Sequence, residues 1–288
     1  MDIKLITDSG CDLALDYIRK NDIDVAPLMV NLNGEFILDD LGQTLKHEDF
    51  YKALREGAIP STTQVNVGTF YEIFKKNVEA GKTVLYLGIS SALSGTISSA
   101  TTARNMVLEE YPDANIIVFD TLCASVGQGV LIYKAVDMIK SKASIEEIVE
   151  YLESIKRKVV HAILLDDLNY LKRGGRVSGL TAAMGGVLGI KPILKIDVNG
   201  KVVPAEKIKG RKRALKSLVQ QIKDNGEDIE NQNIFICNSD CIEDALEVKN
   251  MILEQYNVKD VIINSIGPVI GSHGGPGAIA VIFIGNER

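Results

Sequence analysis

The sequence predicts an α/β fold, and three observations lead to that prediction. Short apolar runs alternate with amphipathic helical segments along the chain, as is typical of α/β proteins. Several of these runs are continuously apolar, which indicates strands buried on both faces of a sheet. The chain has 288 residues, more than the roughly 250 at which a single hydrophobic core stops growing. Two domains, or one large α/β domain, are therefore expected.

The apolar runs predict where the strands lie. The pair Asn199 and Gly200 is typical of a hairpin turn, so the strands on either side of it are expected to pair. The last apolar run is far shorter than the ~20 residues of a membrane-spanning helix, and we expect no span in the chain. The predicted strands are Ile3–Thr7, Val25–Val30, Thr83–Ile89, Ile116–Asp120, His161–Leu165, Ile193–Asp197, Val202–Lys207, Ile234–Cys237, Val261–Ser265 and Ala278–Ile284.

Three helices between these strands have clear signals. Ser144–Glu147 is a capping box, and the apolar residues after it recur on one helical face. Asp240–Glu243 is expected to open a second helix, and Lys212–Ile222 has its apolar residues on one side. The residues expected to be available for burial are Ile145, Ile148, Val149, Leu152 and Ile155 in the first helix, Ala245, Leu246, Met251 and Leu253 in the second, and Leu215, Leu218, Val219 and Ile222 in the third.

A domain boundary is predicted at the charged stretch Lys156–Lys158, which follows the capped helix and precedes a new strand. The part of the chain before it alternates cleanly between strands and helices, whereas the part after it mixes hairpin strands with further strand-helix units. We therefore expect an N-terminal α/β domain of residues 1–158 and a C-terminal α/β domain of residues 159–288.

Composition and charge narrow the class of protein. The formal net charge is −6, whereas a nucleic-acid binder normally shows a basic face and attraction to anionic lipid headgroups needs clustered positive charge. Neither kind of partner is expected. The N-terminus lacks the pattern of a signal peptide. Cys11, Cys123, Cys237 and Cys241 form no CxxC pair, which favours reduced thiols in a cytosolic protein.

The sequence lacks the common motifs of nucleotide binding and hydrolysis. It contains no GxxxxGK[ST] phosphate loop, no GxGxxG after a strand and no GxSxG nucleophile elbow. His47, His161 and His273 are widely separated, and none has a cysteine partner at zinc spacing. Cys237 and Cys241 alone are a weak metal pattern that is more typical of buried structural thiols. The sequence therefore indicates no catalyst, although a site assembled from distant residues would leave no such motif.

Two loop segments are rich in small hydroxyl residues. Pro60–Gln64 has three of them just before a predicted helix, where they either cap the helix, worth about 1 kcal/mol, or present hydroxyls and backbone N–H groups to a ligand. Ser90–Thr96 follows the predicted strand Thr83–Ile89 and leads into a helix rich in small residues. A helix start after a parallel strand offers N–H groups and a positive dipole end, to which anions bind readily. Close packing of a capped helix on the sheet is the alternative.

Two further segments combine glycines with a basic side chain. Gly267–Gly277 holds five glycines and His273, so its backbone can come close to a ligand; a rigid turn before the last strand is the alternative. Asp167–Ser178 is expected to end a short helix on two glycines, and it then offers Arg176. An arginine beside glycines can bind a carboxylate or a phosphate with two hydrogen bonds, although a surface arginine would give the same pattern.

These segments, taken together and in this order, resemble the DegV family, and the match runs from the first predicted strand to the last. Each motif is modest alone, but the whole set in one order is specific. The motifs are Thr7–Ser9, Pro60–Gln64, Ser90–Thr96, Gly174–Ser178, Ile190–Ile193 and His273–Ala278.

The resemblance implies two α/β domains with a long-chain fatty acid, such as palmitate, in a tunnel between them. Proteins of this kind are the fatty-acid-binding subunits of bacterial fatty acid kinase. They present the carboxylate to a separate ATP-using kinase subunit, which makes an acyl phosphate for phospholipid synthesis. The chain is then expected to be a cytoplasmic lipid carrier with no cofactor, metal or catalytic activity of its own. Its expected partners are the fatty acid and the kinase subunit.

The resemblance also implies roles for particular residues by their positions in the motifs. Thr62 and Ser94 match the positions that hold the carboxylate in the family. Ser91, Arg176 and His273 match a secondary polar network near the headgroup. Such donors suit a fatty acid, because the buried chain gains roughly 0.8 kcal/mol per CH₂ while an unpaired buried charge is strongly unfavourable.

Three segments depart from the family pattern. Gly10 and Cys11 follow the first motif where threonine and serine are usual, and Gly274 stands where a side chain is common. Lys209 stands where an arginine often precedes a small residue, which keeps the charge but loses the planar fork. This last difference bears more on phosphoryl transfer, or on the identity of the partner, than on lipid binding.

Two other classes of function stay open. An independent hydrolase or phosphotransferase acting on a small anion would use the same anion site, with His273 as acid or base. A lipid sensor or transport protein would bind the acyl chain without any kinase partner. Ligand size distinguishes the independent enzyme from a carrier, because a small substrate needs no apolar tunnel. Dependence on a kinase partner distinguishes the carrier from a lipid sensor.

Overall fold

The computed structural model describes residues 2–176 and 189–288, and the strands of these residues form three β-sheets. The strands are β1 (Ile3–Asp8), β2 (Asp24–Ala26), β3 (Met29–Leu32), β4 (Glu35–Leu38), β5 (Ser61–Thr63), β6 (Thr83–Gly88), β7 (Ile116–Asp120), β8 (Val159–Leu164), β9 (Ile190–Ile196), β10 (Val202–Lys209), β11 (Asn233–Asn238), β12 (Asp260–Ser265) and β13 (Ile279–Ile284).

Helices connect the strands and cover the faces of the sheets. Short 3₁₀ turns lie at Ser9–Cys11, Lys156–Lys158 and Ile229–Asn231. The α-helices of the described residues are α1 (Leu15–Lys20), α2 (His47–Arg55), α3 (Val67–Glu79), α4 (Thr96–Glu110), α5 (Val126–Lys140), α6 (Ile145–Ile155), α7 (Asn169–Gly174), α8 (Arg211–Asn225), α9 (Ile242–Gln255) and α10 (Pro268–Gly274).

The first sheet contains four parallel strands in the order β2-β1-β6-β7. Strand β6 is buried along its whole length and β1 along nearly all of it, which explains why β6 is almost continuously apolar in the sequence. The strand order changes direction between β1 and β6. In α/β proteins the carboxyl ends of the strands at such a point form a crevice where ligands bind, and the loop after β6 starts there.

The second sheet contains six strands in the order β10-β9-β8-β13-β11-β12. Strand β13 lies between β8 and β11 and is antiparallel to both. Strands β9 and β10 form the hairpin predicted around Asn199 and Gly200, and Gly200 has a φ of 77° that favours glycine. The third sheet is a small antiparallel one in the order β4-β3-β5.

Helix α5 lies between the two large sheets. It contacts β1 and β6 of the first sheet and β8, β11 and β13 of the second. Its first seven residues are all buried, as expected for a helix that is apolar on all sides. One hydrophobic cluster includes Leu5 and Leu85 of the first sheet together with Leu194 and Ile282 of the second. The core thus continues across residue 158, and the division into domains 1–158 and 159–288 stays a prediction.

The predicted α/β class is confirmed, and the predicted strands agree with the observed ones except in one region. The predicted strand Val25–Val30 is divided in the structure, because β2 ends at Ala26 in the first sheet and β3 starts at Met29 in the small sheet. Strands β4 and β5 have no counterpart in the prediction. They contain four and three residues, too few for an alternating pattern to be recognised.

The helix signals are confirmed in part. Ser144–Glu147 forms the predicted capping box at the start of α6. In α9, however, Leu246 and Leu253 are 48% and 51% exposed, so the prediction that they are available for burial is wrong. Val248 and Ile252 fill the core from this helix instead.

The glycine-rich segment near the C-terminus contains a helix rather than a turn alone. This is α10, and it starts at Pro268, where proline is favoured because the first helical N–H has no intrahelical partner. All four cysteines are free thiols. In the part of the chain that the structure describes, no helix is both long and apolar enough to cross a membrane.

Candidate functional site

A cavity of about 360 Å³ lies between the first and the second sheet. Apolar side chains of the second sheet and of the loops after β2 and β6 form most of its wall. Four polar residues named in the sequence analysis also line it, namely Thr62, Ser94, Arg176 and His273. Among the apolar residues of the wall are Leu28, Ile89, Leu93, Leu194, Ile196 and Ile282.

The wall on the side of the second sheet follows from strand periodicity. Alternate residues of a strand point to the same face, and His161 and Ile163 of β8 line the cavity together with Ala280 and Ile282 of β13. The residues between them belong to the hydrophobic cluster on the opposite face of the sheet, namely Ala162, Leu164, Val281 and Phe283.

Thr62 comes to the cavity from strand β5. Its Oγ1 lies 2.9 Å from Nε2 of His273, and it pairs in the small sheet with Val30, whose side chain is fully buried. The segment lies just before a helix, as predicted, but the residue that caps this helix is not one of its hydroxyls. Helix α3 begins only at Val67, and the side chain of Asn66 caps it by accepting from a backbone N–H. The strand is therefore what places the hydroxyl of Thr62 in the cavity.

His273 stands in the last turn of α10 and lines the same end of the cavity. Burial lowers the pKa of its imidazole to about 4, and the nearby positive charge of Arg176 acts in the same direction. The ring is therefore neutral at neutral pH. Its Nδ1 atom is buried without a hydrogen-bond partner. A Cβ atom on Gly174 would lie 2.1 Å from Nδ1, so the ring fits here only because that residue is glycine.

Ser94 lies just before helix α4 and lines the cavity. Its Oγ lies 2.8 Å from Oγ1 of Thr96 and accepts a hydrogen bond of 3.3 Å from the backbone N–H of that residue. Gly95 also lines the cavity and packs against the side chain of Gln64. Helix α4 follows the parallel strand β6, as predicted, and its N-terminus carries a partial positive charge.

Arg176 reaches the polar end from the segment after α7. Its Nε donates to the carbonyl oxygen of Leu93 at 3.2 Å, and its Nη1 donates to the carbonyl oxygen of Gly174 at 2.5 Å. The side chain is exposed and lines the cavity. Among the described residues of the cavity wall, it is the one with a permanent positive charge. Val177 and Ser178 of the same predicted motif lie outside the described residues.

The structure does not bring every residue of interest to the cavity. Ser91 is exposed, its backbone N–H donates to Asp120, and it is not part of the described wall. Lys209 is exposed at the end of β10. Gly274 does line the cavity, and a Cβ atom there would meet Ala278 at 3.4 Å, an ordinary contact.

Other polar residues also line the cavity, among them His161, Cys237 and Ser125. Burial, together with the charge of Arg288, lowers the pKa of His161 to about 3, and burial raises the pKa of Cys237 to about 12. Ser125, at the start of α5, has an unusual φ of 54° and donates a hydrogen bond of 2.5 Å to Asp12. The one sequence signal for His161 is its position two residues before Ile163 in the same strand, which places both side chains on the same face of the sheet.

In the described residues, no group of three or more acidic, histidine and cysteine side chains could hold a metal ion.

The fold and the cavity define a class of protein: an α/β chain with an apolar site between two sheets that ends in hydroxyls, an imidazole and an arginine. Residues 2–286 match the family model described as "Uncharacterised protein, DegV family". A DegV domain-containing protein of Clostridium perfringens is 44% identical over 284 residues, which cover 99% of this chain and 98% of that protein. The chain belongs to the DegV family, as its motifs predict.

Solved structures of this family have the same fold. A DegV family protein of Thermus thermophilus, described for its fatty acid binding, superposes with a TM-score of 0.90 at 30% identity, covering 99% of this chain and all of that chain (100%). A stearic acid-binding protein of Eubacterium ventriosum gives a TM-score of 0.89 at 28% identity, covering 99% and 98% of the two chains. A fatty acid binding DegV protein of Streptococcus agalactiae gives 0.87 at 29% identity and covers 100% of both chains.

Proposed function

We propose that this chain binds a long-chain fatty acid such as palmitate, with the acyl chain in the cavity and the carboxylate beside Thr62 and Ser94. The observation that carries the proposal is the polarity of the cavity, whose wall is largely apolar. Its polar groups include the hydroxyl of Thr62, 2.9 Å from His273, and Ser94, which follows the residue whose carbonyl oxygen accepts from Arg176. A buried acyl chain gains about 0.8 kcal/mol per CH₂ before ordering costs. A buried carboxylate needs donors. The names of the related structures support this choice of ligand.

Thr62 and His273 form a suitable donor pair for the carboxylate. The neutral imidazole has one ring hydrogen, and with that hydrogen on Nε2 it donates to Oγ1 of Thr62. The hydroxyl hydrogen of Thr62 is then available to a carboxylate oxygen, and the two hydrogen bonds polarise each other. This tautomer also leaves an acceptor at the buried Nδ1, where an unpaired donor would be less favourable.

The other groups at this end favour an anion, and most of them are neutral. Ser94 supplies a second hydroxyl, and the first turn of α4 adds the partial positive charge of a helix N-terminus. Arg176 adds a full charge at an exposed position. Since neutral donors hold the carboxylate, it stays able to attack a phosphoryl group.

We propose further that a separate kinase subunit supplies that phosphoryl group. The sequence contains no phosphate loop, and the exposed side chain of Arg176 marks a place where a partner can approach the polar end of the cavity. Phosphoryl transfer depends mainly on positioning and on stabilisation of charge. On this proposal the chain is a substrate carrier in lipid metabolism or transport, and its own residues hold and orient the carboxylate.

Extraction of the protein purified from a bacterial host tests the proposed ligand. Mass spectrometry should find a long-chain fatty acid in nearly stoichiometric amount. Ala280→Phe, which places a large side chain in the cavity, should carry much less, and thermal unfolding would show whether that variant is folded. Protein that is free of lipid and takes up no labelled palmitate would refute fatty acid binding, and a small anion in its place would favour the independent enzyme.

A further inference from the structure

Two buried carboxyl groups from the first part of the chain meet the start of helix α10. Asp12 is 4% exposed and Asp39 is 2% exposed. Oδ1 of Asp12 accepts a hydrogen bond of 2.8 Å from the backbone N–H of Gly267, and the backbone of Val269 lies close enough to Asp39 to favour the charged form of that carboxyl. A Cβ atom on Gly267 would lie 3.1 Å from Oδ1 of Asp12 and 3.4 Å from Oδ2 of Asp39. Both carboxyl groups therefore lie against the same glycine.

The other end of this helix carries His273, which contacts Thr62. Helix α10 has only seven residues, so its two ends are about 10 Å apart at 1.5 Å per residue. Its middle packs tightly on α2, because a Cβ atom on Gly271 would lie 2.5 Å from the hydroxyl of Tyr51. A helix so short and so closely packed transmits a shift at its first residue to its last.

We propose that Asp12 and Asp39 are positioning residues for the headgroup site, which set the place of His273 relative to Thr62 by holding the start of α10. The proposal rests on the proposed function, because it assigns the contact between His273 and Thr62 to carboxylate binding. One serine or asparagine would be enough to cap the helix, without the cost of burying two carboxyl groups. Here two carboxyls are buried together, and Oδ2 of Asp39 has no hydrogen-bond partner.

The surroundings of the two carboxyls make this link sensitive to pH. Burial raises the pKa of Asp12 to about 8 and the pKa of Asp39 to about 7. The negative charge of Asp39 also raises the pKa of Asp12, as a like charge does. At least part of the pair therefore changes its charge near neutral pH, where His273 itself stays neutral. The other titratable groups that act on them are Asp8, Cys11, Asp40, Tyr51 and Cys237.

Nuclear magnetic resonance of the ligand-free protein, with histidine labelled by the heavy nitrogen isotope, tests the proposal. The chain has three histidines, so the signals of His273 can be assigned by the loss of one set in His273→Gln. In the wild type, these signals should shift with a midpoint near neutral pH. The double variant Asp12→Asn/Asp39→Asn, which resembles the neutral pair, should abolish that shift. Asp40→Asn should keep it with a moved midpoint, because Asp40 accepts from Gln43 and Thr44 and acts on Asp39 only through its charge.

Asp39→Ala separates positioning from a merely structural role. It should move the signals of His273 even where the protein is fully folded, and it should weaken palmitate binding about tenfold, as expected when one headgroup hydrogen bond is misplaced. Signals of His273 that show no shift near neutral pH in the wild type, or that stay unchanged in folded Asp39→Ala, would overturn the proposal. Because the spectra use no ligand, a protein that binds no palmitate would refute the proposed function and leave this test intact.

Discussion

Nε2 of His273 and Oγ1 of Thr62 lie 2.9 Å apart although 211 residues separate them in the chain. Thr62 is held by the small sheet and His273 by the short helix α10, which contacts β3 and β5 of that sheet. The contact therefore forms only when these two parts of the chain are packed together. Whatever binds at this end of the cavity is recognised by the packed molecule, and no single motif in the sequence contains the site.

Loss of the hydroxyls should weaken fatty acid binding. Thr62→Val and Ser94→Ala each remove a donor that we place on the carboxylate, at an expected cost of roughly 1–3 kcal/mol for a hydrogen bond to a charged group. Calorimetric titration with palmitate measures the effect. Ser61→Ala is the matched control, because this neighbour of Thr62 is exposed and does not line the cavity. Full affinity in both cavity variants would place the headgroup elsewhere.

Transfer to a phosphoryl donor should depend on a partner. We expect no ATP hydrolysis by the protein alone, and acyl phosphate formation when a cognate kinase subunit, ATP and magnesium are added. Arg176→Ala and His273→Ala should lower the transfer rate more than they lower palmitate affinity. The charge of Arg176 acts during transfer, and His273, besides orienting Thr62 for binding, keeps that hydroxyl on the carboxylate while it attacks.

Arg173→Ala is the control for this comparison, since the guanidinium of Arg173 lies over the ring of Tyr170. It should change neither quantity by much. Turnover without any partner would favour the independent enzyme, and no acyl phosphate with a cognate partner would favour a lipid sensor. Equal losses of rate and affinity would assign Arg176 and His273 to ground-state binding.

The sequence predicts the long elements of this fold well because burial leaves a strong pattern. Strands such as β6 are apolar throughout, and the capping box of α6 is a local signal. The small sheet is not predicted, because its strands are short and one of them, β5, consists of hydroxyl residues. The position of Thr62 within the cavity depends on that strand. The motif therefore identifies the residue, but the sequence does not predict the strand that holds it.

The polar contacts inside the molecule are the least predictable part of the site. Asp12 and Asp39 look like ordinary surface carboxylates in the sequence, and only tertiary packing brings both to Gly267. His161 has no motif around it. Conversely, Ser91 belongs to a matching motif and yet is exposed and does not line the cavity. Sequence position alone does not tell which hydroxyl of a loop faces the ligand.

The glycine beside His273 should tolerate no side chain. In Gly174→Ala the new Cβ atom would lie 2.1 Å from Nδ1 of His273, so the ring or helix α7 must move, at a cost of about 1–3 kcal/mol. Urea unfolding and palmitate titration should both report the loss. Gly274→Ala is the control, because its Cβ atom would meet its nearest neighbour at 3.4 Å. Equal effects of the two variants would contradict the proposed fit of the ring.

His161 should make the folded protein less stable as the pH falls. Its pKa is about 3 in the folded chain and about 6.5 in the unfolded chain, so the neutral ring is favoured by folding. Above pH 6.5 neither state binds the proton and the effect is absent. Below it the unfolded state takes up the proton first, and the free energy of unfolding should fall by about 1.4 kcal/mol per pH unit until about pH 3.

His273 and the carboxyls Asp12 and Asp39 also titrate, so the useful quantity is the free energy of unfolding of the wild type minus that of His161→Gln. Urea unfolding at a series of pH values should show this difference shrinking steadily from pH 6.5 downward, and a difference that stays constant over that range would show that His161 is not held neutral by burial.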